Sequence, residues 1–224
     1  MTSTQSPRPV PPQKVSGSEA VRAALIEAAG QLLGEIGPRN VSVREIAQRA
    51  GVNHGQIHHY FGGKRGLLEA AIRELARQHY ANSLELAGGA AIPAPLSLAE
   101  DRGFFRALCQ SVMDGDMDLV RSVESDNQLS VPRRVLRQIR EQNPDADPLE
   151  LKARFSILSA MELGWVAFEE LMFLNAEVQG AEREELRNAV KRLMANFVKE
   201  LSDVPDEPKS ESPNPRERSE LTSR

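Results

Sequence analysis

The sequence predicts an all-α protein with an N-terminal three-helix head and a C-terminal helical body. Three observations carry that prediction. Apolar residues recur every three or four positions through the middle of the chain, with no sustained alternation of period two. Two short segments on either side of Gly51 each open on a capping residue, as short helices joined by a tight turn do. Glycine and proline pairs then divide the rest into helix-length stretches.

Helix one starts after Ser16 or Ser18 and carries Val21, Leu25, Ala28, Leu32 and Ile36 on one stripe. Gly37-Pro38 ends it, because Pro38 cannot donate to the helical ladder. Ser42 caps the second helix, and Glu45 completes a capping box. Ile46, Ala47 and Ala50 are its buried side, and Gly51 breaks it after two turns. Asn53 is expected to cap the third helix, with Gln56 in the reciprocal position. A longer fourth helix follows Gly62-Gly63, with Leu68, Ile72, Leu75 and His79 on one stripe. Gly88-Gly89 and the Pro93–Pro95 segment mark the passage into the body.

Five helices are expected there. The first runs from about Leu98 to Met113 with Phe104, Phe105, Leu108, Cys109 and Val112 on its apolar side, until Asp114-Gly115-Asp116 interrupts it. A short piece covers Leu119 to Val123, and another starts at Pro132 and ends near Asn143-Pro144. Asp147, with Pro148 at the first helical position and Glu150 at the third, opens a long helix reaching about Val178. The last helix carries Leu186, Val190, Leu193, Phe197 and Leu201. The expected organisation is thus a disordered arm (1–15), a head (16–64), a connecting helix (65–87), a body (88–202) and a disordered tail (203–224), both ends being proline-rich.

Composition narrows the function. Of 224 residues, 40% are hydrophobic and 27% charged, a globular balance. No apolar run approaches the ~18 residues a membrane span needs, and prolines occupy the N-terminus where a signal peptide needs an apolar core. The single cysteine, Cys109, excludes an intrachain disulfide, so a cytoplasmic location is expected. Net charge is −4, but residues 1–66 hold eight Lys/Arg against four Asp/Glu. A basic head on an acidic body suits a protein whose head alone meets a polyanion. All four histidines precede residue 80, leaving the body none for acid–base work. With no nucleophile elbow, phosphate loop or metal cluster either, no enzyme, metal or cofactor is expected.

Two capped helices separated by Gly51-Val52-Asn53 make a helix-turn-helix, which places its second helix in the major groove of DNA. His54, Gln56, His58 and His59 are then its exposed polar face, while Ile57 and Phe61 point inward. His54 and His58, four apart, are also spaced as a metal pair, but no nearby carboxylate or thiol completes a site. The segment VNHGQIHHYFGGKRGLL, Val52 to Leu68, resembles the recognition helix and fourth-helix start of the TetR family of one-component repressors. The stretch VSVREIAQRAG, Val41 to Gly51, is similar to that family's second helix, and the resemblance covers about residues 18–78.

The resemblance implies roles at matching positions. Ser42 contacts a phosphate, Arg44 reaches base edges, and Asn53, His54, Gly55 and Gln56 form the leading turn in the groove. Gly55 lets the backbone approach DNA, Tyr60 matches the family's aromatic, and Lys64 binds phosphate at the start of helix four. Three departures set this reader apart: His58 where tyrosine is usual, His54 where lysine is common, and Gly62-Gly63 for a Pro-Ser type pair. The histidines suggest binding that weakens as pH rises through their range. The family also implies repression.

The long body helix carries apolar residues on nearly its whole circumference, so it must be buried on two sides. A second subunit is the simplest cover. Phe155, Leu158, Val166 and Phe173, with Leu186, Val190, Leu193 and Phe197 of the last helix, are the expected four-helix homodimer interface, the mode the family resemblance also implies. A pocket for a largely apolar small-molecule effector is expected to draw on Phe104, Phe105, Leu108, Cys109, Met113, Trp165, Phe168 and Met172. Glu162, flanked by Met161 and Trp165, needs a partner: an arginine, the second subunit or a cationic effector, a structural partner being favoured. The expected activity is a ligand-responsive regulator that binds a palindromic double-stranded DNA operator as a homodimer. A helical protein-interaction module without DNA binding is the alternative; it explains the body equally but not the two caps around Gly51.

Overall fold

The computed structural model describes residues 17–90 and 93–202, so the two proline-rich ends lie outside it. Nine α-helices and one 3-10 turn, and no strand, occur among the described residues. They are α1 (Ser18–Asn40), α2 (Val43–Ala50), α3 (Gly55–Phe61), α4 (Lys64–Ala87), α5 (Arg102–Met113), α6 (Met117–Glu124), α7 (Val131–Gln142), α8 (Pro148–Asn175) and α9 (Glu182–Ser202); the 3-10 turn covers Ser97–Asp101.

The punctuation read from glycine and proline is where the chain breaks. In α1 the ladder is interrupted at Gly37 (φ 75°, ψ 163°), and one further turn carries the chain to Asn40. Asp116, Ser130 and Asp147 each cap a body helix with the side chain accepting a backbone N–H. Proline opens α8 and sits in the first turn of α7, where its missing N–H is not needed.

One core joins head and body. Leu25 and Leu33 of α1, Ile46 of α2, Ile57 of α3 and Leu67 and Ile72 of α4 share it with Phe104, Leu119 and Val123 of α5 and α6. The turn between α5 and α6 grips the head on both sides. Asp114 Oδ2 accepts the Arg39 N–H at 3.0 Å, and Asp116 receives Arg65 Nη1 at 2.8 Å on both carboxylate oxygens. Arg73 reaches the end of α6 through the Ser122 carbonyl and Asp126. Helix α6 is therefore tied directly to α4. A smaller core of Val135, Ile139 and Leu151 pins α7 to α8. Phe173 seats α9 on α8, with Trp165 edge-on to its ring and Arg183 and Arg187 over its face.

Candidate nucleic-acid interface

Helix α2 is held by a complete capping box. The Ser42 hydroxyl accepts the Glu45 N–H at 3.2 Å, while Glu45 Oε2 accepts the Ser42 N–H at 3.0 Å and its hydroxyl at 2.6 Å. The Ser42 side chain and backbone together hold the Glu45 carboxyl below its usual range. Gly51 then takes the left-handed conformation (φ 68°), letting Val52 N–H return to the Ala47 carbonyl.

The start of α3 differs from expectation. Asn53 Oδ1 accepts the Gly55 N–H at 2.8 Å, so Asn53 does organise the turn, but His54 occupies the N-cap position and Gln56 returns no bond. His54 already has helical dihedrals (φ −58°, ψ −25°), so Asn53, through Gly55, still caps the first turn, and only the reciprocal Gln56 bond is absent. Gly62 and Gly63, both at positive φ, end α3 and turn the chain into α4.

The predicted contact residues are all at least partly accessible. Ser42, Arg44, Asn53, His54, Gly55, His58 and His59 are exposed, and Gln56, Tyr60 and Lys64 are half-buried. Ile57 alone of α3 is fully buried, which fixes the rotation of the helix and turns its polar residues outward. Tyr60 packs against the core. Arg44 and Lys64 make no ion pair among the described residues, so both cations are available to a polyanion. Arg49, by contrast, is bound to Glu35 of α1.

Gly66 is a residue that sequence reasoning missed. A Cβ there would stand 2.2 Å from the Phe61 carbonyl oxygen, so α3 and α4 meet only because this position is glycine. Its signal was the third glycine in GGKRG, inside a helix where glycine is unfavourable.

In the body, a cavity of ≈ 340 Å³ lies between α4, α5, α6, α7, α8, α9 and the Pro93–Leu98 segment. Phe104, Leu108 and Glu162 line it, as expected. Phe105, Cys109, Met113, Trp165, Phe168 and Met172 do not. The reason is helical phase: Phe105 and Cys109 each follow a lining residue by one position, a rotation of ~100°. Cys109 is half-buried, and burial pushes its thiol up, away from the reactive thiolate. Met113, at the end of α5, is 83% exposed. Trp165 is turned toward α9, its Nε1–H donating to Glu169, which also binds Arg187. Phe168 sits at a kink in α8 (φ −122°) and is 57% exposed. Phe155 and Leu158, expected at the dimer interface, line the cavity instead, and Phe173 is buried within its own chain. Val166, Leu186, Val190 and Phe197 are half-buried, and Leu193 is exposed.

Glu162 has a partner that was not among those expected. Its carboxylate accepts the backbone N–H groups of Leu96 at 2.7 Å and Leu98 at 3.3 Å. Burial pushes its pKa up, and those two bonds and the charge of Lys191 oppose the rise.

Comparison with known proteins bears chiefly on the head. Residues 25–71 match the family described as bacterial regulatory proteins, tetR family. The HTH-type transcriptional regulator BetI of Yersinia pestis (strain Pestoides F) is 38% identical over 101 residues, 45% of this chain and 48% of that protein. BetI of Vibrio vulnificus (strain YJ016) is 43% identical over 65 residues, 29% of this chain and 33% of that one. The match thus spans about half the length of these relatives or less. A solved structure from Rhodococcus sp., assigned to the TetR family of transcriptional regulators, superposes with a TM-score of 0.55 at 18% identity, covering 81% of this chain and 98% of that one. At that identity the likeness concerns the fold.

Proposed function

We infer that this chain, a tetR-family protein through its head and its all-α fold, is a DNA-binding transcriptional regulator that represses from a palindromic operator as a homodimer and is released by a small molecule. The observation that carries the reading is the exposed polar face of α3, presented between two left-handed glycine turns and flanked by the unpaired cations Arg44 and Lys64. In the proposed complex α3 lies in the major groove, Gln56 and Arg44 read base edges, and Ser42 and Lys64 hold phosphates.

Dimerisation is supported by a face of α8 that this chain leaves uncovered. Ile157, Met161, Phe168, Leu171 and Leu174 follow one another at three- to seven-residue steps, all exposed, with Leu174 at 73%. Ala153, Ala160, Gly164 and Ala167 share that stripe, and no charged residue interrupts it. Small residues among large ones allow a second helix to approach closely, and a stripe of this extent is unusual on a monomer. Release is supported by the cavity, whose α6 residue Val120 and α4 residue His79 belong to the helices that grip the head. A ligand that prefers one α4–α6 arrangement shifts the spacing of the two heads by its differential affinity alone. Among the described residues, no helix is long and apolar enough to cross a membrane.

The test is a mobility shift of promoter DNA by the pure protein at moderate salt. A sequence-dependent shift is expected, and its absence contradicts the reading.

A further inference from the structure

The cavity in the body selects a charge class. Its walls are apolar, with Phe104, Phe155, Val135 and Met194 among them. The ionisable side chains lining it are Glu124, Glu162 and His79, and no lysine or arginine is among them. Lys191 acts on Glu162 through space without forming an ion pair.

His79 sharpens the picture. It is only 7% exposed and stacks on Phe104, with ring centroids 4.8 Å apart. Its Nδ1 is 2.9 Å from Asp101 Oδ2, and a carboxylate there can only accept, so Nδ1 carries the proton. Asp101 is itself fixed by Asn82, whose Nδ2 donates to Oδ1. In the neutral ring Nε2 is therefore an acceptor, and it has no hydrogen-bond partner among the described residues. Glu124 receives only the Ser130 hydroxyl, on Oε2. The ionisable groups facing the cavity thus all accept hydrogen bonds, and two of them are acidic. An anion entering would meet two carboxylates and no lysine or arginine in the lining; a neutral apolar body would leave the acceptors of the lining unpaired.

We propose that this cavity takes a small organic cation, a protonated amine on an apolar body, with Glu162 and Glu124 as counter-charges and His79 Nε2 as an acceptor. The inference rests on reading the cavity as the effector site. The volume is that of a small-molecule pocket, and the ring of Phe104 offers a face to the cation's apolar portion. A wider cleft of ≈ 720 Å³ between α1, α4 and α5 makes no such selection, since Glu27, Glu74, Arg102 and Arg106 line it together.

Calorimetric titration of the full chain with three probes of one shape tests this: phenethylamine, phenethyl alcohol and hydrocinnamate. The amine is expected to bind at least about tenfold tighter than the alcohol, with no binding of the carboxylate. Glu162→Gln is expected to weaken the amine about tenfold and leave the alcohol unchanged. Because Glu162 also holds the Leu96 segment, Glu124→Gln serves as the second variant and is expected to act in the same direction. Equal binding of amine and alcohol, binding of hydrocinnamate, or no binding by any probe overturns the proposal. A mobility shift in the presence of each probe separates this from the effector reading. If hydrocinnamate or the alcohol releases DNA, the site regulates but the charge class is wrong. If the amine binds through Glu162 and DNA stays bound, the charge class stands and the effector reading falls.

Discussion

Gln56 at the start of α3 and Lys64 at the start of α4 are both half-buried, and their chemistry assigns them different losses. A lysine on a phosphate binds every sequence alike, whereas a glutamine amide matches the paired donor and acceptor of one base. Lys64→Ala is expected to weaken binding to all duplexes and reduce the salt slope by about one. Gln56→Ala is expected to cost about 1–3 kcal/mol on the preferred site and little on others. Anisotropy titrations at several salt concentrations separate the two. Asp116 gives a pH prediction. Burial pushes its carboxyl up, but the Arg65 guanidinium, the Leu119 N–H and the charges of Arg65 and Lys64 outweigh this and hold it below its ordinary value. A folded pKa below the unfolded one contributes stability above the unfolded value, near 3.9, and loses it as pH falls through the folded one. Asp116→Asn, which can still cap α6, is expected to cost about 1 kcal/mol or less at neutral pH, with the difference shrinking at acid pH as the carboxylate protonates. Urea unfolding at neutral and acid pH checks this, and an equal difference at both contradicts it. Ser42 with Glu45 was legible in the sequence because cap and partner are local. Glu162 was not, because its partners are backbone N–H groups more than sixty residues away, which no residue type announces.

At the scale of elements, two glycines around α3 make contrasting predictions. At Gly66 an added Cβ meets the Phe61 carbonyl oxygen at 2.2 Å, which backbone atoms cannot absorb without moving α3 off α4. Gly66→Ala is therefore expected to cost roughly 1–3 kcal/mol, as overpacking does, and to reduce DNA affinity by shifting the reading helix. At Gly51 the added Cβ meets open space, and only the left-handed φ of 68° opposes it. Gly51→Ala should cost about 1–2 kcal/mol while leaving DNA binding near normal in the folded fraction. Thermal melts and anisotropy on both variants test the contrast; equal loss of DNA affinity would contradict it. Helix limits read well from the sequence because Gly37, Gly51, Gly62 and Gly88 take positive φ where the breaks were placed. Rotational phase did not. The apolar side of α5 is wide enough to include Phe104, Phe105, Leu108 and Cys109, and only packing decides that the first and third face the cavity.

For the whole molecule, the apolar circumference of α8 predicts burial on two sides, but its own chain leaves one stripe exposed, and hydropathy alone does not say which side that chain covers. Phe155, Leu158 and Phe173 are taken by the cavity and by α9, and the stripe left over runs through Phe168 and Leu171. Phe168→Glu would place two uncompensated carboxylates in a twofold interface, each costing several kcal/mol. Sedimentation is expected to show a dimer becoming a monomer, with operator affinity falling in step because one head alone contacts a half-site. A variant that remains dimeric would move the interface elsewhere. The most direct measurement of the central claim is selection of bound duplexes from a random DNA pool by the pure protein. A twofold-symmetric consensus is expected, with half-site centres about one helical turn, ~34 Å, or a multiple of it apart, and with the preference relaxed at one position by Gln56→Ala. Recovery of an unenriched pool would contradict it.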